Sequence, residues 1–198
     1  MVDEYSNLTD EQLVEKAKNG DNKAYEMIVK RYEEKVYNLA YRLTNNRTVA
    51  RDILQETFIK VYHSLKNFKK ESKFSTWLYR IAMNFSLMHR RKKQYTVSLD
   101  NPIQTDDEEE LKHELPDWSD NPEATIENKE LRKKIYNTLE LLPEKYRSVL
   151  ILRDMEGLSN KEVSKILNIS VPAVKARIHR SRMFVRDKLS EYFKQNYG

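Results

Sequence analysis

The sequence predicts an all-α protein made of two small helical domains joined by an extended acidic linker. Only three glycines and five prolines interrupt its 198 residues, and apolar residues recur in both halves at the spacing of amphipathic helices. The charges fall into three blocks. Residues 1–95 hold 19 basic and 12 acidic residues, residues 96–123 hold one and ten, and residues 124–198 hold 16 and nine. We therefore place the domains at 1–95 and 124–198, with the linker between them.

Four amphipathic helices are predicted in the first domain, enough to close a core of their own. Thr9 opens a capping box at the first helix, which Gly20 ends. Asp21 can cap the second helix, a turn at Asn45 precedes the third, and the fourth begins near Ser75 and ends near residue 93. The predicted core positions of the third and fourth helices are Ile53, Leu54, Phe58, Val61, Tyr62, Leu65, Trp77, Leu78, Ile81, Ala82 and Phe85.

The linker at 96–123 is predicted from a loss of helical periodicity. It holds three of the five prolines and five consecutive acids at 106–110, which predicts an extended segment. A disordered spacer whose charge only aids solubility is one interpretation. Another is that the acidic run shields the basic domains in the free protein.

A helix-turn-helix is predicted over residues 158–186. Ser159 stands three residues before Glu162, the spacing of a capping box, and Ser170 caps the next helix after a corner at Asn168. The second helix has an apolar spine and a separate basic face, which suits entry into the DNA major groove. The spine is Val174, Ile178, Val185 and Leu189, and the basic face is Lys175, His179, Arg182 and Arg186. A solvated basic helix on an ordinary small domain is the alternative.

Five segments carry a family resemblance: residues 52–58 (DILQETF), 74–84 (FSTWLYRIAMN), 142–147 (LPEKYR), 156–159 (EGLS) and 174–182 (VKARIHRSR). In this order and spacing they resemble the extracytoplasmic-function sigma factors of bacterial RNA polymerase. The first two segments resemble the σ2 domain and the other three the σ4 domain. The resemblance implies a factor that binds core RNA polymerase and directs promoter-specific initiation of transcription.

The resemblance implies two kinds of functional residue in the σ2-like domain. One face of the third helix would bind the clamp helices of the largest polymerase subunit; the implied residues are Asp52, Gln55, Glu56 and Phe58. The loop before the tryptophan helix would capture a flipped base of the minus-10 element, and the next helix would read duplex DNA. The implied minus-10 residues are Phe68, Lys69, Lys70, Glu71, Ser72, Lys73, Arg80, Asn84 and Met88. Met88 departs from the family pattern, in which many members carry a polar residue there.

The σ4-like domain would read the minus-35 element of promoter DNA with its recognition helix. The candidates for base edges are Lys175, Ala176, His179 and Arg180, and the candidates for phosphates are Ser170, Arg177 and Arg182.

The resemblance also implies partners other than DNA. An apolar groove of the σ4-like domain would hold the flap-tip helix of the second-largest polymerase subunit. The family linker runs through the active-site cleft and the RNA exit path until the transcript displaces it. Because the family usually answers to an anti-sigma factor, we expect one here.

Two other classes of function fit the residues less well. An autonomous helix-turn-helix regulator would need a sensing or dimerising N-terminal half, and the segments at 52–58 and 74–84 argue against one. A metal-dependent nuclease would need acids held on a scaffold, whereas those at 106–110 are consecutive and the four histidines are scattered. We therefore predict no catalytic residue, metal site or cofactor.

The composition also predicts the compartment. The sequence has no cysteine, which excludes disulfides and thiol sensing by this chain. No apolar run reaches membrane-spanning length, and the first ten residues do not resemble a signal peptide. A cytoplasmic protein without membrane insertion is expected.

Overall fold

The computed structural model describes residues 4–99 and 126–197, within which all regular structure is helical. The first domain contains α1 (Asp10–Lys18), α2 (Asn22–Thr44), α3 (Arg47–Ser64) and α4 (Phe74–Leu99), with a 3₁₀ turn at Leu65–Asn67. The second contains α5 (Ile126–Leu141), α6 (Glu144–Leu150), α7 (Asn160–Leu167) and α8 (Val171–Tyr197), with a π-helical turn at Ile151–Met155. The predicted all-α class with two helical domains is confirmed. The predicted linker lies outside the described residues except for positions 96–99.

Side-chain caps fix where the first helices begin. Thr9 accepts a hydrogen bond from the backbone N–H of Gln12 at 3.3 Å, and the Gln12 side chain accepts one from the Thr9 N–H at 2.8 Å. The Asp21 carboxylate caps α2 by accepting from a backbone N–H at 3.1 Å. Asn45 ends α2 in the left-handed region with φ 49°, and the Asn46 side chain then caps α3. The caps predicted at Thr9 and Asp21 and the turn at Asn45 are confirmed.

The first domain has an apolar core between α2, α3 and α4, with α1 packed against α2. Its fully buried side chains include Leu13, Ile28, Val36, Leu39, Leu43, Ile53, Val61, Leu78 and Met83. Burying each large aliphatic side chain contributes about 1.5–3 kcal/mol, so this core supplies most of the stabilisation of the domain. One polar contact ties α2 to α3, because the Tyr25 hydroxyl donates to the carbonyl of Phe58 at 2.5 Å.

In the second domain α8 is the central helix and packs against α5, α6 and α7. Arg147, within the 142–147 segment, is only 3% exposed. Its guanidinium donates to the carbonyl of Leu142 at 3.1 Å and also to that of Glu140. These carbonyls lie at the C-terminal end of α5, where helical partners are missing. The arginine of this segment is therefore a structural cap between α5 and α6.

Three elements differ from the sequence predictions. α4 ends at Leu99 rather than near residue 93, because no glycine or proline interrupts residues 74–101. Apolar residues between Pro143 and Gly157 predict one helix, but the structure divides this stretch into α6 and the π-helical turn. Tyr62, predicted in the core, is 54% exposed, with its ring edge-on to Tyr25 at 5.1 Å between centroids.

The two domains pack directly against each other. α4 contacts α7, and the π-helical turn contacts α2. One apolar cluster runs through both domains and includes Leu78 and Met83 of α4 together with Val163 and Ile166 of α7. Both domains carry a net positive charge, and like charges repel. The sequence therefore did not predict that the domains would contact each other. No helix in the described ranges combines the length and the apolar character needed to cross a membrane.

Candidate functional site

The basic face of α8 begins directly after the helix-turn-helix corner. Asn168 ends α7 in the left-handed region with φ 52°, and the Ser170 hydroxyl caps α8 by accepting from the N–H of Ala173 at 3.3 Å. Val174 and Ile178 are buried, which turns the opposite face of α8 outward. The predicted base-reading residues on that face are all exposed: Lys175, Ala176, His179 and Arg180. The corner, both caps and the outward basic face agree with the helix-turn-helix prediction.

A shallow cavity of about 200 Å³ lies beside this face. Its lining is Lys145, Tyr146, Ala173, Ala176, Arg177 and Arg180. The Arg180 guanidinium donates to the Tyr146 hydroxyl at 3.2 Å, and this hydrogen bond lowers the pKa of Tyr146. Three cations around a small apolar floor suit a phosphate oxygen. Sequence reasoning missed Lys145 and Tyr146 because they lie on α6, and only the tertiary fold brings them to α8.

Two arginines of the predicted basic face are engaged within the second domain. Arg182, a phosphate candidate, donates two bonds to Asp154 at 2.8 and 2.6 Å, and this carboxylate raises the pKa of the guanidinium. Arg186 contacts its neighbour Asp187 at 3.0 Å. The remaining cations of this face, Lys175, Arg177 and Arg180, therefore lie in the first three turns of α8, next to the corner.

The loop before α4 presents a cationic surface. Lys69, Lys70, Glu71 and Lys73 are exposed, and Ser72 is half-buried. Lys70 has a positive φ of 59°, and its ammonium group pairs with Glu15 of α1 at 2.7 Å. Lys70 therefore ties the loop to α1, while Lys69 faces outward and Lys73 pairs with Glu162 of α7 at 3.0 Å.

Phe68 does not belong to the exposed part of this loop. It is only 7% exposed and packs against Phe74 and Trp77, at 5.9 and 5.0 Å between ring centroids. Lys18 donates to the Phe68 carbonyl at 2.6 Å. The resemblance implied Phe68 as a minus-10 residue, but a ring buried in this aromatic cluster offers no face on which a base could stack, so that assignment is corrected. Trp77, predicted as core, lies at the edge of the same cluster and is half-buried.

The stripe predicted on α4 reaches the surface. Arg80 and Asn84 are exposed, and Met88 is 52% exposed. Residues four apart lie on one side of a helix, so the three side chains form one row that begins six residues after the start of α4 at Phe74.

The face of α3 predicted to bind polymerase is acidic at one end and apolar at the other. Asp52 and Gln55 are exposed, and the half-buried Glu56 pairs with His89 of α4 at 3.0 Å. Ile59 is 59% exposed and continues the same face. An exposed row of this kind, with charged and large apolar groups, is typical of a protein-binding surface.

Two roles were predicted for Phe58, a core position and a polymerase contact, and the structure agrees with the first. Phe58 is 8% exposed and belongs to the core of the first domain, so its ring offers little surface to a partner. The apolar groups available on α3 are instead Ile59 and Tyr62. The signal for Ile59 was in the spacing, since positions 52, 55, 56 and 59 share a face.

Three separate surfaces result, rather than one chemical centre: the first turns of α8, the loop with the α4 row, and the face of α3. Among the residues that the structure describes, no three His, Asp or Glu side chains are grouped so as to hold a metal ion. The arrangement offers cations to phosphates and side chains to base edges, which is the chemistry of nucleic-acid recognition.

Comparison with known families identifies both domains. The profile of "Sigma-70 region 2" matches residues 28–96, and that of "Sigma-70, region 4" matches residues 132–185. Among curated proteins, ECF RNA polymerase sigma factor SigW of Bacillus subtilis is 38% identical over 178 residues, which span 90% of this chain and 95% of that protein. The ECF RNA polymerase sigma-E factor of Escherichia coli K12 is 37% identical over 189 residues, spanning 92% and 95%.

Solved structures share the fold. CnrH in complex with the cytosolic domain of CnrY matches with a TM-score of 0.66 and 23% identity, covering 90% of this chain and 96% of that one. The sigma factor RpoE of Bartonella quintana, in complex with the anti-sigma factor NepR, matches with a TM-score of 0.68 and 19% identity, covering 85% and 98%.

Proposed function

Since the chain belongs to the extracytoplasmic-function sigma factors, the alternative sigma factors that direct RNA polymerase to initiate transcription at promoters, we propose that its three exposed surfaces divide this task. The observation that carries the proposal is the row of exposed residues on α8, which follows a capped helix-turn-helix corner. The same proposal places the two domains at 1–95 and 124–198 and joins them by the linker at 96–123.

The second domain reads the minus-35 element. Lys175 and Arg180 meet base edges in the major groove, where a cation pairs with guanine, and the Ala176 methyl meets a thymine methyl. His179 lies between them on the same face. Arg177, Arg182 and Ser170 hold phosphates, and the cavity with Lys145 and Tyr146 adds a further phosphate contact. On DNA binding, Arg182 gives up its ion pair with Asp154 and contacts a phosphate instead.

The first domain opens and holds the minus-10 element. Lys69, Lys70 and Lys73 attract the phosphates of the non-template strand, and Glu71 and Ser72 offer acceptors and a donor to the edge of a flipped base. The row of Arg80, Asn84 and Met88 contacts the adjacent duplex. Stacking by Phe68 is not part of this proposal.

Core RNA polymerase binds the face of α3. Asp52, Gln55 and Glu56 meet a basic partner surface, which we assign to the clamp helices of the largest subunit, and Ile59 adds apolar contact. The flap-tip helix of the second-largest subunit occupies a groove of the second domain. The acidic linker at 96–123 runs through the active-site cleft of the polymerase until the transcript displaces it.

Control of this chain by an anti-sigma factor completes the proposal. The support is that the similar RpoE fold of Bartonella quintana was solved with the anti-sigma factor NepR. An anti-sigma factor would cover the faces that meet polymerase. A cytoplasmic location follows from the same role, because RNA polymerase and the chromosome are there.

The function is tested by run-off transcription with core RNA polymerase and the purified chain on genomic fragments, which also reveals the promoters. On a promoter found in this way, Lys175→Ala weakens binding of the polymerase complex by about 1–3 kcal/mol and relaxes base preference at one minus-35 position. The matched control is Lys23→Ala, an exposed lysine of α2 that belongs to none of the proposed surfaces, which leaves both unchanged.

Two outcomes would contradict the proposal. If the chain left transcription by core polymerase unaltered while binding duplex DNA tightly by itself, the autonomous regulator would be favoured instead. If Lys175→Ala weakened binding to every sequence equally, Lys175 would be a phosphate contact rather than a base reader.

A further inference from the structure

The Arg180 guanidinium of α8 is held by a side chain of α6. Its Nη1 atom donates to the hydroxyl of the half-buried Tyr146 at 3.2 Å. Because the bond engages Nη1, the edge of the guanidinium formed by Nε and Nη2 can still serve DNA. Two parallel N–H donors on one planar edge match the O6 and N7 acceptors of guanine. The contact therefore restricts the arginine without occupying the donors that a base would use.

The backbone of α6 is fixed against α8 at the same point. Ser181, the residue after Arg180, is fully buried, and its hydroxyl lies 3.0 Å from the carbonyl oxygen of Tyr146 and 2.6 Å from that of Arg177. On the α6 side, the residue after Tyr146 is the buried Arg147, which caps α5. Both partners of the hydrogen bond are therefore adjacent to buried residues that link two helices, so their backbone separation is set by packing.

The ring of Tyr146 is restrained as well. It packs against the apolar cluster around Leu139 and Leu142, and the Lys145 ammonium lies 5.1 Å from the ring centroid. The hydrogen bond from Arg180 lowers the pKa of the hydroxyl. Since a phenol hydroxyl both accepts and donates, its own proton remains available to a phosphate oxygen in the adjacent cavity.

Arg182 shows the effect of a charged partner instead. Its guanidinium donates twice to the Asp154 carboxylate, at 2.8 and 2.6 Å, so its charge is neutralised until that pair is broken. Tyr146 carries no negative charge, so Arg180 keeps its positive charge while its rotamers are restricted. A long exposed side chain loses rotamer entropy when it binds, and a preorganised one loses less. Of these two arginines, Arg180 is therefore the one prepared for base recognition.

We propose that Tyr146 is a positioning residue for minus-35 recognition, whose hydroxyl holds Arg180 so that the Nε and Nη2 edge reads a guanine. This inference rests on the proposed function, in which α8 enters the major groove, and it adds a residue of α6 to base selection. Tyr146 acts through Arg180 rather than by touching the base. Its loss should therefore weaken the preference for guanine at one base pair and leave the preference set by Lys175 as it is.

The test uses the full chain bound to core RNA polymerase, on a promoter found by run-off transcription. Binding is measured for that promoter and for versions with each other base pair at the position where Arg180→Ala loses base preference. Tyr146→Phe removes the hydroxyl but keeps the ring that packs against the apolar cluster. We expect it to reduce discrimination at this position by about threefold to tenfold, the range for loss of one hydrogen bond. Discrimination at the Lys175 position should stay at the wild-type value.

A double variant separates positioning from a direct contact with DNA. In Tyr146→Phe/Arg180→Ala no arginine remains to be held, so discrimination should equal that of Arg180→Ala alone. Loss of the phosphate contact proposed for the cavity lowers binding to all base pairs equally, with or without Arg180. The matched control is Tyr136→Phe, which removes the hydroxyl of a half-buried tyrosine on α5 that packs against the same apolar cluster. It should leave discrimination unchanged.

The outcomes separate this inference from the function on which it rests. If Arg180→Ala relaxes base preference and Tyr146→Phe does not, the positioning role is overturned while the proposed function stands. If Arg180→Ala relaxes no position, the base-reading role of Arg180 fails, and the role of Tyr146 fails with it. If Tyr146→Phe still relaxes base preference in the Arg180→Ala background, the hydroxyl acts on the base directly, which also overturns positioning.

Discussion

At the scale of single residues, Glu162 serves two structural purposes. Its carboxylate accepts from the Ser159 N–H at 2.9 Å and from the Ser159 hydroxyl at 2.7 Å, which completes the capping box of α7. It also pairs with Lys73 of the first domain. The bonds to Ser159, with a smaller contribution from Lys73, lower the pKa of Glu162 to about 2. The spacing of Ser159 and Glu162 predicted the capping box, but no local pattern indicated the pair with Lys73.

The titration of Glu162 gives a pH dependence of stability. A carboxyl whose pKa is lowered by folding stabilises the native state above its unfolded value of about 4.5, and this contribution is lost as the pH falls towards about 2. We expect wild type to exceed Glu162→Gln in melting temperature near pH 7 and the difference to shrink between pH 4.5 and 2. Glu26→Gln, in an exposed pair, is the control. A difference that stays constant with pH would contradict the assignment.

At the scale of elements, the corner between α7 and α8 depends on one backbone conformation. Asn168 lies in the left-handed region at φ 52° and ψ 50°, and its N–H donates to the carbonyl of Ser164. Asparagine tolerates this region better than β-branched residues do. The sequence made this corner predictable, because the cap residues on both sides are local signals. The π-helical turn after α6 had no such signal, and it is seen only in the folded chain.

Substitution at Asn168 tests the corner. Asn168→Val should destabilise the second domain by about 1–2 kcal/mol, the cost of a left-handed conformation for an ordinary residue. Asn168→Gly should be neutral or slightly stabilising, because glycine adopts positive φ readily. The control is Asn137→Val, an exposed helical position of α5. Chemical denaturation measures all three, and equal effects of valine at the two positions would contradict the argument.

At the scale of the whole molecule, packing and charge contribute differently to the contact between the domains. The apolar cluster shared by α4 and α7 does not depend on ionic strength, and the Arg42–Glu156 pair is largely shielded from solvent. The side chains of Lys73 and Arg91 are 74% and 64% exposed, so their ion pairs are weak and readily screened. Salt should therefore loosen the contact without abolishing it.

This salt dependence is measured by fluorescence energy transfer between dyes on cysteines introduced at Lys66 and Ser190, two exposed positions, one on each domain of a chain that has no cysteine of its own. Between 0.1 M and 1 M salt the screening length falls from about 10 Å to about 3 Å, which removes the two exposed pairs. We expect a partial decrease in transfer that levels off while the domains stay together. Complete opening below about 0.5 M would mean that screened surface charge, rather than the shared core and the buried pair, holds the domains.

The sequence by itself determined the helices, their caps, the helix-turn-helix and the family, because each depends on residues within a few positions of one another. The residues it assigned to DNA contact on α8 and in the α4 row include side chains that the structure shows to be exposed. Only the tertiary structure decided that Phe68 is a core residue, that Tyr62 is exposed, and that the two domains meet at Glu156. Burial is set by which helices pack together, and a contact between residues more than a hundred positions apart leaves no local pattern in the chain.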